Sequence, residues 1–333
     1  MSPPWTLLAL PPLPGEVLTA LFADVPVELL VPAARTPEAA LEVAEQADLV
    51  LGDWTATIRV SADLLAAAPR LAFVQQPSAG VDAIDVAACA AAGVPVANAG
   101  DANAVSVAEW CVGVTFAAMR SIPWGDRQVR SGVWPQLELA ARGGGELTGQ
   151  RVGIVGMGRI GRECATRYAA LGCDVAYWSR TQRTGAESGG ARWLPLEDLL
   201  RHAEVLVVVI ALADQTRGLL GAEQLALLPP GSFLVNAARG GIVDETALLA
   251  AVRSGSLAGA ALDVFDTEPL PDPHPFRDED RIVLSPHAAG ATRQAQARLI
   301  QGIVANIRRA VTGEPVLHVV NGQDPLIRRR LIT

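Results

Sequence analysis

Lysine is absent from this chain of 333 residues, and all 27 basic residues are arginine. Schiff-base chemistry needs a lysine amine, and a phosphate-binding loop of the GxxxxGK type needs a lysine as well. The absence therefore excludes pyridoxal enzymes, Schiff-base aldolases and ordinary P-loop nucleotide hydrolases.

Long hydrophobic runs, cysteines and positive charge are also scarce. The longest strongly apolar run, Val205 to Ala213, is about half of what a membrane-spanning helix needs. The first residues lack the basic start of a secretion signal, and the arginine run 328–330 is interpreted as a solvated tail. The four cysteines show neither metal-ligand spacing nor a dense disulfide pattern, and a net charge of −8 disfavours nucleic acid. We therefore expect a cytoplasmic protein with no metal, no membrane contact and no nucleic-acid partner.

Short apolar runs alternate with helical stretches, which is typical of strand-helix-strand units on a parallel sheet. Half of the residues are apolar and the chain exceeds the usual size of one domain, so two domains are expected. The candidate strands of the first block are Thr6 to Leu10, Val27 to Val31, Leu49 to Leu51, Leu71 to Gln75 and Pro95 to Ala97, and those of the second are Arg151 to Val155, Val175 to Trp178, Val205 to Ile210, Phe233 to Asn236, Gly259 to Leu262 and Ile282 to Leu284. Long helices are predicted at Ala104 to Met119 and at Thr292 to Val311. The pattern predicts an α/β fold with two doubly wound parallel sheets, the second having the six strands of a dinucleotide-binding domain.

A glycine motif follows the first strand of the second block. The sequence GxGxxG stands between the strand ending at Val155 and the helical run Arg162 to Leu171. In this context the first glycine permits a tight turn, the second lets a pyrophosphate approach the backbone, and the third lets helix and strand pack closely. The helix N-terminus offers amides and a dipole to the phosphates. The predicted cofactor residues here are Gly156, Met157, Gly158, Arg159, Ile160 and Gly161.

The end of the next strand bears on the choice between NAD and NADP. An NAD site normally ends this strand with an acidic residue that binds the ribose hydroxyls, whereas this chain has Ser179, Arg180 and Thr181. A guanidinium binds a 2′-phosphate in a fork, and the hydroxyls can donate to it. We therefore predict these three residues as cofactor contacts and expect NADP, with NAD as the alternative.

One histidine, His287, stands at the end of a candidate strand, where open α/β sheets place ligands. Two other strand ends also carry charge, Arg239 at one and the segment Asp263 to Glu268 at the other. We expect these three strand ends to form an active site. The remaining histidines, His202, His274 and His318, are interpreted as structural or solvated.

Four stretches resemble motifs of the D-isomer-specific 2-hydroxyacid dehydrogenase family. They are Gln76 to Asp82 (QPSAGVD), Asn236 to Leu249 (NAARGGIVDETALL), Gly259 to Leu270 (GAALDVFDTEPL) and Ser285 to Thr292 (SPHAAGAT). The resemblance covers nearly the whole chain. It implies a Rossmann nucleotide-binding domain, residues 100–287, inserted into a flavodoxin-like substrate-binding domain formed by residues 1–99 and 288–333.

The resemblance also implies roles for individual residues. Arg239, Glu268 and His287 would be the catalytic residues, and Arg239 and His287 would also contact the substrate. The backbone amides of Ala79 and Gly80 would bind the substrate carboxylate. The family is usually dimeric through its nucleotide-binding domains. Further cofactor contacts are expected at Ala237, Asp263 and Gly290, and candidate pocket residues are Trp134, which in some relatives reaches the partner subunit, and Trp54.

The predicted residue types suit the reduction of a 2-keto acid. A guanidinium can hold the carboxylate and polarise the ketone, an imidazolium can protonate the alkoxide, and a carboxylate can orient the imidazole. We expect an NADP(H)-preferring oxidoreductase for a small 2-keto acid, with glyoxylate or hydroxypyruvate favoured because Ser179 to Thr181 resembles the reductases of those acids. The alternatives are a bulkier 2-keto acid and a cofactor-sensing binding protein. Glu268 disfavours the formate dehydrogenase branch, which pairs its histidine with glutamine. A phosphoglycerate dehydrogenase is expected less than the small-acid reductases, because many of those enzymes carry a further regulatory domain.

Overall fold

The computed structural model describes residues 4–183 and 185–330. Their contacts divide the chain into two compact units, an outer unit that runs to Asn103 and resumes at Arg293, and a central unit from Ala104 to Thr292. The second boundary lies beyond the expected residue 287, because the backbone amides of Ala288 and Ala289 bond to the carboxylate of Asp263 in the central unit. The first boundary falls between Asn103 and Ala104, a few residues after the expected 99/100, because the long helix that starts at Ala104 belongs to the central unit.

Within the described residues, five parallel strands form the sheet of the outer unit. They are β1 (Trp5–Ala9), β2 (Val27–Leu30), β3 (Leu49–Leu51), β4 (Phe73–Gln75) and β5 (Val96–Ala97), and the helices between them are α1 (Gly15–Leu21), α2 (Pro37–Val43), α3 (Ala62–Ala67) and α4 (Val86–Ala91). The spatial order β2-β1-β3-β4-β5 is the flavodoxin-like order. The side chains of Thr36, Ser61 and Asp85 start α2, α3 and α4 by accepting a hydrogen bond from an amide of the first turn.

The sheet of the central unit has seven parallel strands in the described part of the chain. They are β6 (Arg151–Val155), β7 (Asp174–Trp178), β8 (Arg192–Trp193), β9 (Val205–Val208), β10 (Ser232–Asn236), β11 (Leu257–Leu262) and β12 (Ile282–Leu284). Their order, β12-β11-β10-β9-β6-β7-β8, is the Rossmann order extended by one strand. The predicted α/β class with two doubly wound sheets is confirmed. The prediction of six strands was wrong, because β8 has only two residues and leaves no hydrophobic pattern in the sequence.

Helices cover both faces of the central sheet. They are α5 (Ala104–Met119), α6 (Ile122–Arg130), α7 (Gln136–Ala141), α8 (Arg159–Ala170), α9 (Leu196–His202), α10 (Ala222–Leu225) and α11 (Glu245–Ser254), and α12 (Arg293–Thr312) follows in the outer unit. Within the described residues no single helix is long and apolar enough to cross a membrane, although α5 and α6, bent by 62°, meet that length and composition together.

Alternate residues of the central strands pack on opposite faces of the sheet. Ile154 and Val207 pack with residues of α5 and α8, whereas Leu206 and Val208 pack with residues of α9 and α11. All four side chains are fully buried, and each such burial contributes about 1.5–3 kcal/mol. Packing on both faces fixes the strand ends that carry the polar loops.

The carboxylate of Asp48 is fully buried in the outer unit. Its oxygens accept hydrogen bonds from Arg70 Nε at 3.0 Å, from Arg329 Nη2 at 2.7 Å and from the Thr6 amide at 3.0 Å. A buried carboxylate is costly unless it is paired in this way. The interpretation of residues 328–330 as a solvated tail was therefore wrong for Arg329, whose side chain is only 16% exposed.

Candidate active site

The carboxyl ends of all seven central strands lie on one edge of the sheet, because every pair in it is parallel. The direction of chain order reverses between β6 and β9, and open α/β sheets bind ligands at such a switch point. The glycine loop follows β6, and the loops that carry the predicted catalytic residues follow β10, β11 and β12. The two groups of residues therefore lie along the same edge.

The three glycines of the loop after β6 serve three different geometric needs. Gly156 has a φ of +107°, which favours glycine. A Cβ at Gly161 would lie 2.1 Å from the carbonyl oxygen of Gly156, so the helix packs on the strand only without a side chain there. A Cβ at Gly158, by contrast, would meet nothing within 4 Å. The backbone at Gly158 is therefore open to a ligand, which is the arrangement that a pyrophosphate needs.

Helix α8 begins at Arg159 with no side chain capping its N-terminus. The first amides of a helix have no intrahelical partner and carry partial positive charge, so they suit an anion. Gly158 and Arg159 are exposed and Ile160 is partly buried, whereas Met157 is buried among core residues. The loop fits the pyrophosphate of a dinucleotide. Since the Met157 side chain is buried, only its backbone could contact the cofactor.

The loop after β7 carries the predicted contacts to the adenosine ribose. The Ser179 hydroxyl donates to the Thr181 carbonyl oxygen at 2.7 Å, and Tyr177 OH donates to the Arg183 carbonyl oxygen at 2.8 Å. Arg180 is exposed and makes no hydrogen bond or ion pair with the described residues. Internal hydrogen bonds therefore hold the loop. The Arg180 guanidinium has no partner among the described residues.

The imidazole of His287 and the carboxylate of Glu268 are in contact. His287 Nδ1 lies 2.7 Å from Glu268 Oε2, with side-chain exposures of 46% and 34%. Burial raises the pKa of the Glu268 carboxyl. The hydrogen bonds from His287 and the Phe265 amide and the positive charges of His287 and Arg239 lower it by more, so the pKa lies below the ordinary glutamate value. The carboxylate thus stays ionised beside the imidazole. The structure brings together His287 and Glu268, and the charge of Arg239 reaches them.

Asp263, predicted as a cofactor contact, holds the loop that carries His287. Its buried carboxylate accepts from the Ser285 hydroxyl at 2.6 Å and from the Ala288 and Ala289 amides at 2.8 Å each, and its carbonyl oxygen accepts from the His287 amide at 2.8 Å. His287 has a φ of +52°, an unfavourable conformation for a residue with a side chain. The bonds to Asp263 compensate for this strain and fix where the imidazole stands.

The loop with Arg239 packs directly against the loop with Glu268. A Cβ at Gly240 would lie 2.0 Å from the Phe265 carbonyl oxygen, so only glycine permits this approach. The Gly241 amide donates to Asp266 Oδ1 at 2.5 Å. Arg239 itself is partly buried, and its Nη1 donates to the Ala238 carbonyl oxygen at 2.6 Å. The two loops therefore form one rigid support for the predicted catalytic side chains.

The remaining predicted residues belong to both units. Ala79 and Gly80 are in the outer unit, in the loop after β4, where they are partly buried. Ala237 and Gly290, both partly buried, stand in the loops after β10 and β12. Trp54 follows β3 and is 44% exposed, and Trp134 lies between α6 and α7 and is 78% exposed. Across residues 4–183 and 185–330, no group of three or more metal-binding side chains is close enough to hold an ion.

Two residues that support the site without lining it were not predicted from the sequence. Ser285 and Asp266 fix the loops of His287 and Arg239 through a hydroxyl and a carboxylate. The available signal was their place in the loops after β12 and β11, two residues before His287 and Glu268. Their partners lie on other strands, however, and the sequence does not show which ones.

Comparisons with known proteins agree with this geometry. Residues 112–289 match the family model of the D-isomer specific 2-hydroxyacid dehydrogenase NAD binding domain. A glyoxylate reductase of Aeropyrum pernix is 38% identical over 278 residues, which cover 82% of this chain and 83% of that protein. A D-3-phosphoglycerate dehydrogenase of Mycobacterium leprae is 40% identical over 263 residues, or 79% of this chain. The chain spans only about half the length of the phosphoglycerate dehydrogenases that it matches, 49% in that case.

A solved structure gives the same result for the fold. The crystal structure of a glyoxylate reductase from Paecilomyes thermophila superposes with a TM-score of 0.86 at 27% identity, covering 96% of this chain and 98% of that one. The family model spans more than half of the chain and includes the glycine loop and the predicted catalytic residues. The resemblance seen in the motifs is confirmed: the chain belongs to the D-isomer specific 2-hydroxyacid dehydrogenase family, and its central unit carries that family's nicotinamide-dinucleotide-binding domain.

Proposed function

We propose that the protein is an oxidoreductase that transfers hydride between a nicotinamide cofactor and a small 2-keto acid or its D-2-hydroxy acid. The observation that carries this proposal is the contact of 2.7 Å between His287 and Glu268, beside the Arg239 loop and on the same sheet edge as the glycine loop. Family membership supports the same reaction class.

The side chains at this edge have complementary tasks. The bound nicotinamide would supply or accept the hydride. Arg239 would bind the substrate carboxylate and polarise the ketone oxygen, since a guanidinium can donate to both at once. His287 would give a proton to the developing alkoxide, and Glu268 would hold the imidazole in place and stabilise its charged form. In the reverse direction His287 would take the proton back.

The outer unit would serve as the substrate-binding domain and the central unit as the nucleotide-binding domain. The amides of Ala79 and Gly80 have no acceptor among the described residues, although both residues are partly buried. Backbone amides are obligatory donors, so these two are open to a ligand oxygen as their acceptor. This supports a carboxylate site in the loop after β4.

The substrate that we propose is glyoxylate or hydroxypyruvate. The Aeropyrum pernix glyoxylate reductase supports this choice, because the match covers most of both chains. The decisive experiment measures oxidation of NADPH and of NADH with a panel of 2-keto acids that increase in size. A preference for a bulky acid would replace the proposed substrate, and turnover of none would favour a cofactor-sensing binding protein.

The His287→Ala variant tests the proposed proton donor. Loss of a positioned general acid costs about 10²- to 10⁴-fold in rate, while cofactor affinity should remain. His274→Ala is the matched control, since His274 lies 3.5 Å from Glu245 in another histidine–carboxylate pair of the central unit. Equal losses in the two variants would contradict the assignment of His287.

We also propose that NADP(H) is the preferred cofactor. The exposed, unengaged guanidinium of Arg180 supports this, as does the lack of an acidic residue directly after β7. One charge-assisted contact contributes about 1.5–3 kcal/mol, so a preference of roughly tenfold to a hundredfold in kcat/KM is expected. Arg180→Ala should remove it, and Arg192→Ala, an exposed arginine near Asp174, should not. A wild-type preference for NADH would refute this proposal.

Finally, we propose a homodimer formed through the central unit. Trp134 and Leu137 are 78% and 86% exposed, and Ile122, Val129 and Val133 nearby are about half exposed. Exposed apolar clusters of this kind mark interaction surfaces. Sedimentation analysis of the wild type and of Leu137→Glu tests this: the wild type should be a dimer and the variant should dissociate. A monomeric wild type would exclude it.

A further inference from the structure

Each of the three carbonyl oxygens in the loop Ser78-Ala79-Gly80 accepts a hydrogen bond from a different donor. The Ser78 carbonyl oxygen accepts from the Ala99 amide at 2.9 Å, that of Ala79 from Asn98 Nδ2 at 2.7 Å, and that of Gly80 from the Ser78 hydroxyl at 2.7 Å. In a planar trans peptide the C=O and the following N–H point in opposite directions. Fixing these three carbonyls therefore sets the directions of the Ala79, Gly80 and Val81 amides.

These three amides have no acceptor among residues 4–183 and 185–330. Successive amides in a bent or turning segment can form a concave site for an anion, and residues 77–79 are such a bend. Because each carbonyl opposite them is held, the amides do not turn away when no ligand is bound. The loop is thus organised in advance for a carboxylate, which reduces the entropic cost of binding.

Asn98 is anchored more firmly than a surface asparagine. Its amide donates to the His318 carbonyl oxygen at 3.2 Å, its carbonyl oxygen accepts from Gln75 Nε2 at 3.2 Å, and its Oδ1 accepts from the Gly100 amide at 3.0 Å. Gln75 is buried and bonds in turn to Asn306, which is also buried. A buried network of amides is rigid when its members are satisfied. Asn98 therefore presents Nδ2 to Ala79 in a fixed position.

The Ser78 hydroxyl is oriented in the same way. Gln76 Nε2 donates to Ser78 Oγ at 2.9 Å, which leaves the hydroxyl proton directed at the Gly80 carbonyl oxygen. Gln76 is 2% exposed, and a Cβ at Gly52 would lie 2.1 Å from its Oε1, so glycine at position 52 makes room for this amide. Polar side chains thus occupy buried places at the end of β4 where apolar ones would pack at lower cost.

From this geometry we propose that Asn98, and Ser78 together with Gln76, are positioning residues for the substrate carboxylate: Asn98 sets the Gly80 amide and Ser78 sets the Val81 amide. The inference rests on the proposed function, since it assumes a carboxylate substrate. Neither side chain needs to touch the substrate. The carboxylate is common to all 2-keto acids, so both residues serve affinity for the whole class rather than choice among its members.

The test compares Asn98→Ala with Asn321→Ala. Asn321 is a matched control in the same unit, because its side chain also bridges backbone groups, accepting from the Val96 amide at 3.1 Å and donating to the Val94 carbonyl oxygen at 2.8 Å. In Asn98→Ala we expect KM to rise about tenfold or more for every accepted 2-keto acid, by a similar factor for each, with kcat and the KM for cofactor nearly unchanged. Asn321→Ala should lower stability alone.

Ser78 provides a second pair of variants should Asn98→Ala fold poorly. Ser78→Ala should raise KM in the same uniform way, and Ser78→Thr, which keeps the hydroxyl, should restore it. If the wild type reduces no 2-keto acid, the proposed function itself fails. If the wild type is active but Asn98→Ala and Ser78→Ala leave KM at the level of Asn321→Ala, the positioning role is refuted and the proposed function stands.

Discussion

Replacing Glu268 with glutamine removes the negative charge beside His287 and keeps the size of the side chain. Reduction needs the proton on His287, and the carboxylate 2.7 Å away stabilises the charged imidazole. Without this charge the protonated imidazole loses a stabilising contact, so kcat/KM for reduction should fall.

The size of this loss follows from the geometry of the pair. A charge-assisted hydrogen bond contributes about 1.5–3 kcal/mol when it is shielded from water. The side chains of His287 and Glu268 are 46% and 34% exposed, so screening reduces the contribution to about 1 kcal/mol. Since about 1.4 kcal/mol corresponds to a factor of ten in rate, kcat/KM for reduction should fall roughly fivefold.

The assay is kcat/KM for reduction at neutral pH for the wild type, Glu268→Gln and Glu245→Gln. Glu245 is the control because it lies 3.5 Å from His274, and its replacement should leave kcat/KM nearly unchanged. A kcat/KM for Glu268→Gln equal to that of the wild type would refute the role given to Glu268. Stability provides a second check. Because the pKa of Glu268 is lowered in the folded protein, its contribution is present above the unfolded pKa and is lost as pH falls through the lowered value, so the variant should lose less stability on acidification.

Four further variants test other parts of the structure. Arg239→Ala should raise KM for the keto acid and lower kcat, with a combined loss of roughly 3 kcal/mol or more in kcat/KM, and an unchanged KM would contradict its assignment. Gly158→Ala should weaken cofactor binding about tenfold or more at nearly unchanged melting temperature, whereas Gly161→Ala, whose Cβ would lie 2.1 Å from a carbonyl oxygen, should cost about 1–3 kcal/mol of stability in urea unfolding. Arg329→Ala should lower the free energy of unfolding by about 1.5–3 kcal/mol, because it removes one guanidinium from buried Asp48. A variant as stable as the wild type in urea unfolding would show that this ion pair contributes nothing.

The local patterns of the sequence were sufficient for the fold class. Long elements such as helix Ala104–Met119 and the buried strand Val205–Val208 repeat apolar residues over enough positions to be recognised. Strand Arg192–Trp193 is too short for that, and it forms because β7 offers it a partner. Roles for Arg239, Glu268 and His287 were predicted because their motifs are continuous in the chain and stand at strand ends.

Neighbours along the chain were enough to predict the longer strands and helices, the place of the glycine turn, and the charged residues at strand ends. Which side chains meet depends on the folding of distant segments against each other. This folding placed Arg329 on Asp48, assigned Asp263 to the loop of His287, and brought the Asn98 side chain to the Ala79 carbonyl oxygen. Each of these contacts joins residues that are 19 to 281 positions apart. Their geometry is set by strand order and by packing on both faces of the sheets, which no local pattern specifies.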